Sequence, residues 1–197
     1  THYYPAFPYA SYAKMRIEDV LDLRAFMETL PAVASQVAGH ELGFPYSVRR
    51  AVGLWKRLYV SPDPVIELAG ASDLVRRGQY LVEGPGHCGE CHTVRDALGG
   101  WKAPLWLAGA RNPEGEGRIP NITPHEDGIA DWSEGDIAEA LRSGLTPDFD
   151  QFEGRMAAVQ EELSHLPEDD LQAIAAYLKA VPPLPDAVPR ANTDERR

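Results

Sequence analysis

The chain has 197 residues, of which 44% are hydrophobic and 25% charged, a composition typical of a globular protein with one ordinary domain or two small ones. Its net charge of -11 argues against binding to nucleic acid, whose phosphates need a basic surface. No apolar run approaches the roughly 20 residues of a membrane-spanning helix, so we expect membrane association only through a partner or a missing segment. Because the first residue is Thr1 rather than methionine, we expect any targeting segment to have been removed.

Two stretches with matching patterns lie towards opposite ends of the chain. EDVLDLRAFMETLPAV, residues 18–33, aligns with DDLQAIAAYLKAVPPL, residues 169–184, at one constant offset. Each has apolar residues at helical spacing, begins with acidic residues and stops before a proline, Pro31 or Pro182. Met27 lies on the apolar side of the first copy, where we expect it in a core. The repeat predicts two domains that share a fold and end in the same helix.

The middle of the N-terminal third is basic. FPYSVRRAVGLWKRLY, residues 44–59, forms an amphipathic segment, and Ser61-Pro62-Asp63-Pro64 follows it. We place a domain boundary there, with residues 1–62 as a partial N-terminal domain and 63–197 as a complete domain with a C-terminal tail.

A helix is predicted from about Asp73 to Glu83, directly before the cysteines. Ser72 is its expected N-cap, and Gly84-Pro85-Gly86 is the expected stop. Gly78 on this helix lets Tyr177 of the last helix approach closely, so the two helices are expected to cross there.

Only two cysteines occur in the chain, and both lie in GHCGECH, residues 86–92. A C-x-x-C pair is compatible with a disulfide, a thioredoxin-like redox pair, half of a zinc site or a covalent haem attachment. The remaining histidines form no pair at zinc spacing, and the chain lacks the alternating strands and helices of a thioredoxin-like protein. In C-x-x-C-H the thiols join the haem vinyl groups as thioethers and the histidine binds the iron. The motif therefore predicts one haem c at Cys88, Cys91 and His92.

A long tract rich in glycine and proline, residues 99–124, follows the cysteines and predicts extended loops. Beyond it, Ser133-Glu134-Gly135-Asp136 resembles a capping box, and Gly144 is the expected end of that helix. No convincing alternating strand occurs, so we predict an all-α fold with long loops.

An electron-transfer haem needs a second axial ligand, and methionine sulfur favours ferrous iron. Met156 lies between the attachment motif and the last helix and is the predicted ligand opposite His92. His125 and His165 are rival ligands, and a core methionine filling a gap is the alternative role for Met156.

Three stretches, GQYLVEGPGHCGECHTVRDALGG, IPNITPHEDGIADWSEGDIAEALRSGLTPD and RMAAVQEELSHLPEDDLQAIAAYLKAVP, resemble the multi-haem cytochrome c subunits of bacterial membrane-associated alcohol, gluconate and sorbitol type dehydrogenases. The resemblance implies a class I-like cytochrome c domain preceded by a partial helical cytochrome c-like domain. It also implies that four residues of the second stretch lie near the porphyrin: Asn121, Ile122, Thr123 and Trp132. For Trp132, a core position is the alternative.

The N-terminal stretch HYYPAFPYASYAKMRIEDV resembles the distal-ligand half of a preceding haem domain. Met15 is the ligand that this resemblance implies, provided that an upstream haem exists. No C-x-x-C-H precedes it in the sequence, so a second haem requires an upstream attachment segment.

We therefore expect a periplasmic electron-transfer protein rather than an enzyme. It would accept electrons from a dehydrogenase and pass them to a quinone or a terminal oxidase. Two other classes stay open: a peroxidase-like haem enzyme with an open distal site, and a structural haem subunit of a larger complex.

Overall fold

The computed structural model describes residues 2–113, 115 and 117–189, so the end of the predicted C-terminal tail lies outside the described residues. The chain divides into two compact units, residues 1–63 and 64–197. The described part of the first unit contains three helices: α1 (Tyr9–Tyr12), α2 (Ile17–Glu28) and α3 (Ala51–Tyr59).

The second unit contains five helices among its described residues: α4 (Asp73–Glu83), α5 (Gly89–His92), α6 (Glu134–Ser143), α7 (Gly154–Leu163) and α8 (Glu168–Ala180). Its loops carry one 3-10 turn, Ala103–Leu105, and two short antiparallel strands, β1 (Ala110–Arg111) and β2 (Arg118–Ile119), in which Ala110 faces Ile119. The prediction of an all-α fold with long loops is confirmed.

Local chemistry sets the helix ends of the second unit. The Ser72 hydroxyl accepts a hydrogen bond from the Val75 amide and caps α4. Ser133 and Asp136 form a reciprocal capping box at the start of α6, and Gly144 ends that helix with φ of 79°. These three ends lie where the sequence predicts them.

The core of the second unit is built on the crossing of α4 and α8. A Cβ added at Gly78 would lie 1.8 Å from the Ala173 carbonyl oxygen and 2.8 Å from Tyr177 Cβ, so only glycine allows this approach. Leu171 and Tyr177 of α8 are fully buried there. The predicted crossing is confirmed, and α6 packs against the same helix.

A buried carboxylate fastens this crossing to the preceding loop. Glu83 is 2% exposed and accepts hydrogen bonds from the Val65 amide at 2.6 Å and the Tyr177 hydroxyl at 2.7 Å. The Tyr177 hydroxyl in turn accepts from Trp106 Nε1 at 3.0 Å. Burial, and then the negative charge of Glu83, raise the pKa of Tyr177, which therefore stays protonated and donates.

The first unit is packed differently. Its buried residues among those described are Ala10, Ser11 and Val52, and α2 has none. The expectation that Met27 fills a core is wrong, because no described segment covers its side of α2 and the side chain is 59% exposed.

Among the described residues, no helix combines the length and the apolar character needed to cross a membrane.

Candidate functional site

The C-x-x-C-H motif, residues 88–92, forms a compact turn that follows α4 and includes α5. The Cys88 amide donates to the Val82 carbonyl at 3.1 Å, and the His92 amide donates to the Cys88 carbonyl at 3.0 Å. The turn lies on the Trp106 ring, since a Cβ at Gly89 would be 2.1 Å from that ring. The absence of a side chain at Gly89 therefore lets the motif pack directly against the Trp106 ring.

His92 is arranged as a metal ligand. Its imidazole is buried, and Nδ1 lies 2.8 Å from the Pro120 carbonyl oxygen. Because a carbonyl only accepts, Nδ1 carries the proton and Nε2 keeps a lone pair for a metal. Burial lowers the pKa of His92 despite the opposing effect of this hydrogen bond, so the ring is neutral as coordination requires.

The two thiols are not joined as a disulfide. Cys88 is partly buried, and burial of its sulfur raises the pKa of the thiol to about 12. A redox-active or zinc-binding cysteine is stabilised as a thiolate instead. Among the described residues, no group of three or more histidine, cysteine, aspartate or glutamate side chains is arranged to hold a metal ion.

One polar atom near the motif fits a prosthetic group with acidic side chains. Trp101 Nε1 is buried and has no hydrogen-bond partner in the described structure, an arrangement that costs free energy unless a ligand accepts from it. The Trp101 and Trp106 rings meet edge to face with centroids 5.1 Å apart. A haem propionate is an acceptor of the required chemistry, so the residues fit haem c: Cys88 and Cys91 would anchor it and His92 would bind its iron.

The loop that supplies the Pro120 carbonyl is held by the segment after α8. Asn121 Nδ2 donates to the Leu184 carbonyl at 2.7 Å, and the Leu184 amide donates to Thr123 Oγ1 at 3.1 Å. Asn121 also accepts from the Thr123 amide at 2.8 Å, and both side chains are buried. Their polar groups thus fix the loop behind His92.

Ile122 and Trp132 are partly buried against the core cluster that contains Trp106 and Leu107. This position agrees with a core role for Trp132, and its predicted contact with the porphyrin stays a prediction.

The candidate sixth ligands differ in their surroundings. Met156 is the third residue of α7 and is partly buried against the core. His125 Nδ1 accepts from the Asp127 amide at 3.1 Å, and exposed His165 lies at the end of α7 with Nδ1 2.9 Å from the Glu161 carbonyl oxygen. His165 is exposed and His125 packs in a local turn, whereas Met156 packs against the core, and this difference favours Met156. Met15, in the first unit, is partly buried just before α2.

Pro120, Trp101, Trp106 and Glu83 were not predicted as functional residues. Pro120 acts through its backbone carbonyl, which every residue type provides, so no sequence signal could identify it. Trp101 and Trp106 lie 9 and 14 residues after His92, and their position soon after the motif is the one sequence signal that could have identified them.

Comparisons with known proteins agree with this geometry. Residues 75–182 match the cytochrome c family model. The chain is 52% identical over 185 residues to a diheme cytochrome c-type protein of Cereibacter sphaeroides, covering 92% of this chain and 60% of the relative.

Two further relatives are named as subunits of dehydrogenases. The chain is 36% identical to the cytochrome c subunit of a quinone alcohol dehydrogenase of Gluconobacter oxydans, over 93% of this chain and 40% of the relative. It is 38% identical to a fructose dehydrogenase cytochrome subunit of Gluconobacter japonicus, over 91% of this chain and 37% of the relative. The chain thus spans three fifths or less of these relatives.

The family model covers more than half of the chain and includes the motif, the α4 and α8 crossing and Met156. Taken with the neutral, buried His92 held by Pro120, this match means that the chain belongs to the cytochrome c family.

Proposed function

We propose that this chain is a periplasmic electron carrier that takes electrons one at a time from a dehydrogenase and passes them to a quinone or a terminal oxidase. When bound, haem c supplies an iron that alternates between the ferric and ferrous states. The residues of the chain anchor that group, fix its axial ligands and limit access of water.

The observation that carries the proposal is the hydrogen bond from His92 Nδ1 to the Pro120 carbonyl. It fixes the ring tautomer and orientation and leaves Nε2 to the iron. A ligand held in one orientation in both oxidation states changes little during electron transfer, which suits a carrier.

We propose Met156 as the sixth ligand. It follows the Gly144 to Glu153 loop and packs against the core, whereas Met27 is exposed and Met15 belongs to the first unit. A methionine ligand closes the distal side and disfavours a peroxidase-like enzyme, which needs an open position there.

The dehydrogenase donor is inferred from the relatives that are named as dehydrogenase subunits. The periplasm is inferred from the motif, since covalent haem attachment of this kind takes place outside the bacterial cytoplasm. The acidic net charge suits a redox partner with a basic docking surface.

The number of haems follows from the cysteines. The sequence contains one C-x-x-C-H, so we propose one haem c held by this chain. We further propose that the first unit resembles the distal half of another haem domain, because α2 repeats α8 and one relative is named a diheme protein. Met15 would serve such a haem only if an attachment segment outside residues 1–197 supplied it.

The first test is the intact mass of the denatured chain together with the spectrum of its reduced form. We expect the polypeptide mass plus one haem, and a low-spin spectrum with methionine ligation. A mass equal to the polypeptide alone would overturn the cytochrome assignment of the motif.

The second test replaces the sixth ligand. Met156→Ala should abolish the methionine-to-iron charge-transfer band and let carbon monoxide bind the ferrous protein. Met27→Ala, a matched change at an exposed methionine, should leave both properties unchanged. Carbon monoxide binding by the unchanged chain would favour an open-site haem enzyme instead.

A further inference from the structure

One surface of the first unit contains none of the candidate site residues described above. It consists of the outward side of α3 and the turn before it, and we call it the α3 face: Phe44, Tyr46, Arg50, Leu54, Arg57 and Leu58. The two leucines are more than 60% exposed, and Phe44 and Tyr46 more than 70%. Four large apolar side chains therefore lie in solvent on one short segment.

These side chains do not stabilise the described unit, because α3 packs through its opposite side. Val52 is buried, and Trp55 and Tyr59 are partly buried with ring centroids 5.1 Å apart. Lys56 lies 4.1 Å from the centroid of the Tyr9 ring. Leu54 and Leu58, one helical turn apart, point away from this packing.

The charge of the segment is opposite to that of the chain. Between Glu41 and Asp63 there is no acidic residue, and four cations occur: Arg49, Arg50, Lys56 and Arg57. Neither Arg50 nor Arg57 pairs with a carboxylate in the described structure. In a chain of net charge -11 this is a local basic surface, and it complements an anionic partner.

The exposed helix α2 shows that apolar exposure alone does not define this surface. Its apolar residues are exposed as well, but Glu18, Asp19, Asp22 and Glu28 outnumber its two arginines including Arg16. An anionic surface would repel α2 and attract α3.

We propose that the α3 face binds an anionic phospholipid surface, lying in the interface rather than crossing it. Basic residues flanking exposed leucine and aromatic side chains are the combination that partitions into headgroups. An acidic protein would be attracted by the arginines, but four exposed apolar groups around them favour a lipid boundary. The inference concerns binding alone and does not depend on the electron-transfer proposal.

The test is sedimentation of the haem-loaded full chain with vesicles of phosphatidylcholine containing 25% phosphatidylglycerol, and with vesicles of phosphatidylcholine alone. We expect binding to the anionic vesicles, and weaker binding when salt is raised. Because each basic residue near an anionic bilayer contributes about fivefold, Arg50→Glu with Arg57→Glu should weaken partition by roughly 30-fold or more.

The double variant Leu54→Ser with Leu58→Ser should bind the anionic vesicles about tenfold more weakly, or more weakly still, at low salt and at raised salt alike. Matched controls on α2 make the same changes of charge and of apolar area: Arg16→Glu with Arg24→Glu, and Leu21→Ser with Leu23→Ser. The controls should bind as the unchanged chain does, and all variants should keep its helical and haem spectra.

Absence of binding to the anionic vesicles would overturn the proposal, as would equal binding to the neutral ones. An equal loss of binding in the α2 controls would also overturn it, since general charge or stickiness would then explain the association.

Discussion

The helices α2 and α8 have matching sequence patterns and opposite surroundings. Val20 of α2 is 39% exposed, whereas Leu171 at the corresponding position of α8 is fully buried. Phe26 and Tyr177 correspond in the same way, with exposures of 61% and 0%. An apolar stripe thus predicts a helix, and its burial depends on whether a partner helix such as α4 is present.

Local interactions explain why α2 is helical without that packing. Glu18 and Asp19 lie in its first turn, where the helix dipole favours acidic residues, and Arg24 pairs with Glu28 one turn later at 2.9 Å. Such terms contribute tenths of a kcal/mol each, whereas the α4 crossing contributes several through burial.

The largest difference is expected on removing apolar volume. Leu171→Ala should lower the free energy of unfolding of the second unit by about 3 kcal/mol, because the cavity is fully enclosed. Val20→Ala should change stability by less than about 0.5 kcal/mol. Denaturant unfolding measures both changes in the free energy of unfolding. The haem absorption band reports on Leu171→Ala, and circular dichroism reports on Val20→Ala. Equal effects would contradict the contrast between the two helices.

The crossing itself is tested by adding one methyl group. Gly78→Ala should destabilise the second unit by about 2 kcal/mol or more, since its Cβ would overlap the Ala173 carbonyl. Gly135→Ala is the control, because its Cβ would meet only Ser133 Oγ at 3.6 Å and alanine favours a helix. The control should be neutral or stabilising in thermal unfolding.

Removing the Tyr177 hydroxyl tests how much buried hydrogen bonds contribute to the difference between α8 and α2. Tyr177→Phe should cost about 1–3 kcal/mol, because Glu83 and Trp106 Nε1 each lose a buried partner. The reverse change at the corresponding position, Phe26→Tyr, should have no measurable effect on the exposed helix. Unfolding in urea compares the two variants. A neutral Tyr177→Phe would mean that the network adds nothing to stability.

The smallest effect concerns acid stability at the start of α8. Hydrogen bonds from Gln172 and then from Arg142 lower the pKa of Glu168, so its contribution is complete above its unfolded pKa and is lost as pH falls through the folded value. The Glu168→Gln variant should therefore lose less stability than the unchanged chain as pH falls below about 4.5. Unfolding temperatures measured across this range, with Ile17→Gln at the corresponding position of α2 as control, provide the check. If the unfolding temperature of the Glu168→Gln variant falls with pH as steeply as that of the unchanged chain, Glu168 does not contribute to acid stability in this way.

Much of the second unit follows from its sequence. The bounds of α4, the cap at Ser72, the stop at Gly144 and the meeting of Gly78 with Tyr177 depend on local chemistry or small side chains, and the structure agrees. The five-residue motif identifies its own chemistry because anchors and ligand are adjacent.

The remainder depends on contacts that one sequence does not encode locally. Glu83 looks like the last residue of an amphipathic helix, and only the fold brings Val65 and Tyr177 to its carboxylate. The exposure of Met27 is equally invisible in the repeat, because its pattern is that of a buried helix.

The hydrogen bonds that join Asn121 and Thr123 to Leu184 have a practical consequence for domain excision. The match to the family ends at residue 182, and a domain cut there would retain every helix that the structure describes in the second unit. It would nevertheless lose Leu184, and with it the Ala187 amide that donates to the Ala108 carbonyl at 2.9 Å. Fusion junctions and affinity tags therefore belong after residue 187, where they leave the loop behind the His92 imidazole intact.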